Sequence, residues 1–196
     1  MLKRTIRILS AVICIVLAAP VCAETYKDIG PLDSLAELKA KFPGASFIDQ
    51  KPAWAQQNQK LYAIKGDGMA GSIVVLFSDN NDVVENAQRR YAESQGVAPE
   101  PFKRSEESLV VEWVRWVPSE AIPLARVIAK YGQPEKSGFS DEDLQPYKSW
   151  IKRGLVVYLS DDSKYATRFD YSFTEKELHD TFMKKWGFDP YEKSRK

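Results

Sequence analysis

The chain repeats itself. Leu35-Ala-Glu-Leu-Lys-Ala-Lys-Phe42-Pro43-Gly44 is echoed by Leu124-Ala-Arg-Val-Ile-Ala-Lys-Tyr131-Gly132, each an apolar stripe at helical spacing stopped at a glycine. A loop follows each, and then a similar strand and turn: Val74-Val-Leu-Phe-Ser78-Asp79-Asn80 and Val156-Val-Tyr-Leu-Ser160-Asp161-Asp162. The loop is longer in the first half. Internal similarity of this kind constrains the fold more than composition does, because each copy must bury the same faces in the same order. It predicts a tandem duplication of a helix–loop–antiparallel-strand unit, residues 24–101 and 102–196, joined near Pro99 and Pro101.

Punctuation and period place the elements. Ser34 reads as the cap of a helix carrying Leu35, Leu38 and Phe42. Residues 60–65 and 71–78 form a predicted hairpin around Gly66-Asp67-Gly68, and Asp82 with Glu85 starts a helix toward Gln95. Leu109 to Val117 is a predicted strand, Glu120 to Tyr131 the second helix, and 147–151, 154–160 and 164–173 further strands. A last helix runs from Glu175 to Trp186, with Thr174 and Glu177 as a capping box and Leu178, Phe182 and Trp186 as its apolar stripe. Helices interspersed with neighbouring antiparallel strands give an α+β class, with helices packed on one face of the sheet plus a C-terminal helix.

Alternation separates the two faces of the second-half sheet. Tyr165, Thr167, Phe169, Tyr171 and Phe173 share one side, which must be the buried one. A two-residue Arg153-Gly154 turn would pair Trp150 with Val157, and a three-residue Asp161-Asp162-Ser163 turn would set Leu159 opposite Tyr165. The predicted core face is then Trp150, Leu155, Val157, Leu159, Tyr165 and Phe169. The opposite, mixed face carries Tyr147, Ile151, Val156, Tyr158, Arg168 and Asp170, with Tyr158 and Arg168 projecting freely. Trp113 and Trp116, three apart in a strand, point to opposite faces, so one of them is a candidate for the outer surface beside Arg115.

The first residues bear on compartment. Lys3, Arg4 and Arg7, an apolar run from Ile8 to Pro20 and Val21-Cys22-Ala23 before Glu24 read as a cleavable signal peptide over 1–23, which predicts a periplasmic or secreted protein with no stable membrane insertion. Both cysteines, Cys14 and Cys22, lie inside it, so the mature chain is expected to be cysteine-free and held by its core alone. The formal net charge of +1 turns slightly acidic once those three cations are removed, and no concentrated basic patch remains to favour nucleic acid.

Catalytic inventory is thin. His179 is the single histidine, no Gly-x-Ser-x-Gly elbow accompanies it, and it reads as a solvated surface residue on the last helix. With one histidine and no mature cysteine no metal site of the usual zinc composition is expected, and no cofactor motif is present. The acidic clusters at Asp79–Asp82, Asp161-Asp162 and Ser140–Asp143 fit turn chemistry, without the spacing of a calcium loop. Trp, Tyr and Arg on an outer face are what binding hot spots favour.

The patterns Leu35 to Gly44 and Ser72 to Asp79, in two copies behind a leader, resemble the tandem α+β domains of β-lactamase-inhibitor-protein-like families and of the small lipoprotein subunit of the outer-membrane β-barrel assembly machinery. The chain departs from them in lacking a disulfide and a lipidation site of the expected form, since Val21 stands where a small residue would precede a lipid-bearing Cys22, and in adding a terminal helix. What the resemblance implies is a protein, not an enzyme, that binds another protein through a sheet face or loops. The expected function is therefore an exported, non-catalytic protein-binding module of the bacterial envelope, of inhibitor, immunity or assembly-accessory type, whose partner is another envelope or secreted protein. Candidate contact residues are Tyr147, Tyr158, Arg168, Trp113, Arg115 and Trp116. Two alternatives are a carboxylate-based hydrolase of envelope glycans, marked by a cleft with two carboxylates, and a small-ligand carrier, marked by a pocket between sheet and helices.

Overall fold

A computed structural model describes residues 28–52, 59–66, 69–78, 89–98 and 109–189. The leader read over 1–23, the Asp79–Asp82 cluster, Pro99, Pro101 and the start of the helix expected from Asp82 lie outside these residues; 89–94 are helical.

The protein is α+β, built on a nine-stranded antiparallel sheet. In chain order the elements are α1 (Leu35–Lys41), β1 (Ser46–Asp49), β2 (Gln59–Lys65), β3 (Gly71–Ser78), β4 (Val110–Pro118), β5 (Ile122–Pro123), α2 (Leu124–Tyr131), β6 (Lys136–Ser140), β7 (Gln145–Trp150), β8 (Leu155–Leu159), β9 (Tyr165–Ser172) and α3 (Glu175–Trp186). Strands lie in the order β1-β2-β3-β4-β9-β8-β7-β6, with the short β5 paired to β9. The chain thus winds inward from one edge to β4, jumps to the far side, and winds inward again to β9, where the halves meet. Among the described residues no helix is long and apolar enough to cross a membrane.

Local signals act as expected at three places. Ser34 accepts from the Glu37 N–H while Glu37 accepts from the Ser34 N–H, and Thr174 with Glu177 repeats the box on α3. The β2–β3 hairpin forms, pairing Tyr62 with Val75. The second helix is shorter than expected: Pro123 forces Ile122 into an extended conformation, so residues 122–123 pair with β9 and α2 begins only at Leu124. Strands β1 and β6 escaped the sequence reading because their four and five residues, Ser-Phe-Ile-Asp and Lys-Ser-Gly-Phe-Ser, carry no sustained apolar–polar alternation to detect.

One apolar cluster runs through both halves. Ile64, Ile73, Val75 and Phe77 join Val114, Trp116, Val157 and Phe169, and Leu38 of α1 and Val127 of α2 complete it. Phe182 of α3 sits in a separate cluster with Leu32 and Val110, and Lys185 donates to the Leu32 carbonyl at 2.8 Å, tying the terminal helix to the first half.

Registers in the second half differ from the expected ones, in a way that leaves the faces intact. Trp150 pairs with Leu155 rather than Val157, because Ile151–Arg153 form a 3₁₀ turn closed by Gly154 at φ 62°. Leu159 pairs with Ala166 rather than Tyr165: Ser160, Asp162 and Ser163 (φ 56°) organise a longer turn, and a bulge at Thr167 then sets Val157 opposite Phe169. The Leu159 pairing has moved by one residue, but beyond the bulge Val157 is displaced by two, as Trp150 is, and an even shift preserves which side chains face inward. Trp150, Leu155, Val157, Leu159 and Phe169 are accordingly buried. Tyr165, which precedes the bulge, is turned out instead and Ala166 turned in. Ile151 leaves the outer face altogether and lies exposed on the turn.

Candidate functional site

Register alone assembles the outer face. Ile48, Ala63, Val74, Arg115, Asp170, Val156, Ser149 and Lys136 are successive cross-strand partners from β1 to β6. Side chains flanking this row on the same strands, Trp113, Arg168, Tyr158 and Tyr147, therefore point to the same side. Five of the six residues singled out from the sequence meet there. Trp116 does not: it faces inward, 3% exposed, with its ring 5.0 Å from that of Phe169.

The charges on this face are paired across strands. Arg115 donates from Nε and Nη2 to the two oxygens of Asp170, both at 2.8 Å, a fork-to-fork geometry that fixes the guanidinium plane. The same guanidinium lies 5.1 Å from the Trp113 ring centroid. Arg168 donates from Nη1 to Asp143 Oδ1 at 2.7 Å, with Nε 3.5 Å from Asp170, and its guanidinium rests 3.5 Å above the Tyr158 ring. Trp113, Arg115, Asp170, Arg168, Asp143 and Tyr158 thus form one connected row, and Tyr147 extends it, its ring centroid 6.2 Å from that of Tyr158.

Arg168 is not the free projection expected of it. Its side chain is 14% exposed, and Nε and Nη2 are buried without a hydrogen-bond partner among the described residues; the face of Tyr158 supplies the compensating electrostatics. Burial disfavours its cation, yet the hydrogen bond to Asp143 and the nearby Asp170 hold its pKa above the ordinary value. The reciprocal effect is larger: the hydrogen bond from Arg168 pulls the Asp143 carboxyl down to about 2. Burial raises the Tyr158 phenol, which stays protonated at any physiological pH.

Three contributors were missed as site residues. Asp170 sat on the correct face and carries a charge opposite to its cross-strand neighbour, a signal available once register is known. Asp143 reaches Arg168 only through the β6–β7 turn, where it also accepts from Ser140 Oγ, and that hairpin was not read from the sequence. Gly138 opposes Tyr147, whose ring lies over it so closely that a Cβ would fall 2.7 Å from the phenol oxygen. His179 lies on the surface of α3 as expected, and in addition sets Nδ1 3.0 Å from the carboxylate of buried Asp189.

Among the described residues no cluster of histidine, cysteine or carboxylates is arranged to hold a metal ion. A cleft of about 550 Å³ opens between the 29–31 segment, the end of α2, the 151–153 turn and the start of α3. Among the described residues its lining has one carboxylate, Glu177, which accepts from the Tyr171 hydroxyl, the Thr174 N–H and the Thr174 hydroxyl. Compared with family models, curated proteins and solved structures, the chain matches none.

Proposed function

We propose that the chain is an exported, non-catalytic protein-binding module, and that it binds an envelope or secreted protein through the outer face of β7, β8, β9 and β4. The observation that carries this reading is the pre-organised row of Trp113, Arg115, Arg168, Tyr158 and Tyr147. Trp, Tyr and Arg supply most interface energy, and side chains already fixed by stacking and ion pairing lose little entropy when a partner docks. In the cleft, the lone Glu177 is engaged in capping and in holding Tyr171, which speaks against the carboxylate-pair hydrolase.

The order of elements also supports the tandem reading, with units at 24–101 and 102–196 and the helices laid on one sheet face. Within these bounds each unit has a helix followed by antiparallel strands, α1-β1-β2-β3 and α2-β6-β7-β8-β9, and β4, at the start of the second unit, lies between them, paired with both β3 and β9. Export rests on the leader reading of 1–23, which an intact mass beginning at Glu24 would support.

The test couples capture to the face. The exported protein, immobilised and exposed to envelope extract, is compared with Trp113→Ala/Tyr147→Ala and with a control altered on α3, Lys184→Ala. One defined protein retained by wild type and by the control, and lost about 100-fold or more in the double variant, supports the assignment. Equal retention by all three removes the face from the binding site.

A further inference from the structure

The 3₁₀ turn between β7 and β8 carries two cations to the mouth of the cleft. Ile151–Arg153 make a single 3₁₀ turn, and three contacts hold it. Gly154 closes it at φ 62°, packed so tightly on β9 that a Cβ would lie 1.8 Å from the Ser172 carbonyl oxygen. The Ser172 N–H donates to the Gly154 carbonyl at 2.8 Å, and the Lys152 N–H donates to Glu135 Oε2 at 3.1 Å. The backbone of the turn is thereby fixed, and it carries the exposed side chains of Lys152 and Arg153, neither of which makes an ion pair among the described residues. Arg153 instead lies 5.9 Å from the ring of Tyr131, a wall of the cleft.

Behind the cations the lining is aromatic and aliphatic: Tyr131, Tyr171 and Phe173, with buried Leu155. Tyr171 and Phe173 meet edge to face at 5.6 Å. The Tyr171 hydroxyl is spent on Glu177, and burial and that carboxylate raise its pKa far above the ordinary range, so its ring offers a neutral surface. Glu177 in turn accepts three hydrogen bonds. Two cations at the rim without an ion pair among the described residues, one internally engaged carboxylate and an apolar wall make a site that complements a negative head on an apolar body.

We propose that this cleft binds a small amphiphilic carboxylate, its aromatic or aliphatic body against Tyr131, Tyr171 and Phe173 and its head between Lys152 and Arg153. The site is separate from the outer face, and its occupancy does not depend on a protein partner.

The test is a titration of the purified exported protein, followed by NMR, with 4-phenylbutyrate, with decanoate and with the neutral 4-phenylbutanol. Saturable shifts at Tyr131, Leu155, Tyr171 and Phe173 are expected for the acids, and about three- to tenfold weaker binding for the alcohol, the range two partly exposed charges supply. Lys152→Gln/Arg153→Gln should erase the preference for the acid while leaving the melting temperature unchanged, and Phe173→Ser should weaken all three ligands. Trp113→Ala/Tyr147→Ala should bind the acids as wild type does, so that failure here and failure of the outer-face reading are read separately. Absence of saturable shifts with either acid at millimolar concentration, equal affinity for acid and alcohol, or an unchanged preference in the double glutamine variant would overturn the proposal.

Discussion

The two faces of β4, β9 and β8 are made by the same three strands, yet they are held by different physics. Inward, Trp116, Phe169, Val157 and Leu155 are almost fully buried and are fixed by volume, each filling space that no other side chain reaches. Outward, Arg115, Asp170, Arg168 and Tyr158 stay partly exposed and are fixed by charge and ring geometry. Truncation should therefore cost stability inside and recognition outside. The largest effect is expected at Phe169, which is 2% exposed and packs on Trp116: Phe169→Ala should lower unfolding free energy by about 3–5 kcal/mol in denaturant titration. A loss under about 1 kcal/mol would mean that the two faces are not distinguished as argued.

Arg168 sharpens the comparison because it belongs to the outer face and is nearly as enclosed as an inner residue. Arg168→Ala removes the partner of Asp143 and the cation above Tyr158 together, and should cost about 1–3 kcal/mol. Arg168→Lys should not recover the loss, since an ammonium cannot both stack flat on the ring and donate along the carboxylate. Equal stability of wild type and Arg168→Ala by thermal melting would show the row to be ornamental to the fold.

How much of this was legible in the sequence follows from which signals are parity signals. Period-two alternation in β8 and β9 identified the inner set although both hairpin registers were displaced, because the displacements at Trp150 and, beyond the Thr167 bulge, at Val157 were even. The bulge at Thr167 defeated the reading only for Tyr165, the one assigned position on its far side. The cap at Ser34 and the capping box at Thr174 were readable since their signals are local, although the Glu37 half of the Ser34 box was not read. The pairings that build the outer row were not. Asp143 meets Arg168 across 25 residues through a hairpin whose β6 strand is short, polar and glycine-bearing, and no local pattern announces it. The cleft was equally invisible, as its rim depends on a 3₁₀ turn where a two-residue hairpin was the simpler expectation.

The smallest effect probes the same row through pH. The Asp143 carboxyl titrates near 2 in the folded protein against an ordinary 3.8, chiefly because it accepts the hydrogen bond of Arg168. A depressed folded pKa means that the unfolded chain takes up the proton first as pH falls, so the stabilisation is complete above about pH 4 and is lost progressively toward pH 2. Its size is on the order of 1 kcal/mol once partial exposure and screening are allowed for. Asp143→Asn keeps the shape and removes the charge, so it should be less stable than wild type at neutral pH and converge with it near pH 2 when melting temperatures are compared pH by pH. The gap at neutral pH should also narrow in about 1 M salt, because the pair is only partly buried. A difference that stayed constant from pH 6 to pH 2 would show that Asp143 contributes through shape alone. The outer row would then be held by the Arg115–Asp170 fork and the Arg168–Tyr158 stack, without the turn that Asp143 anchors.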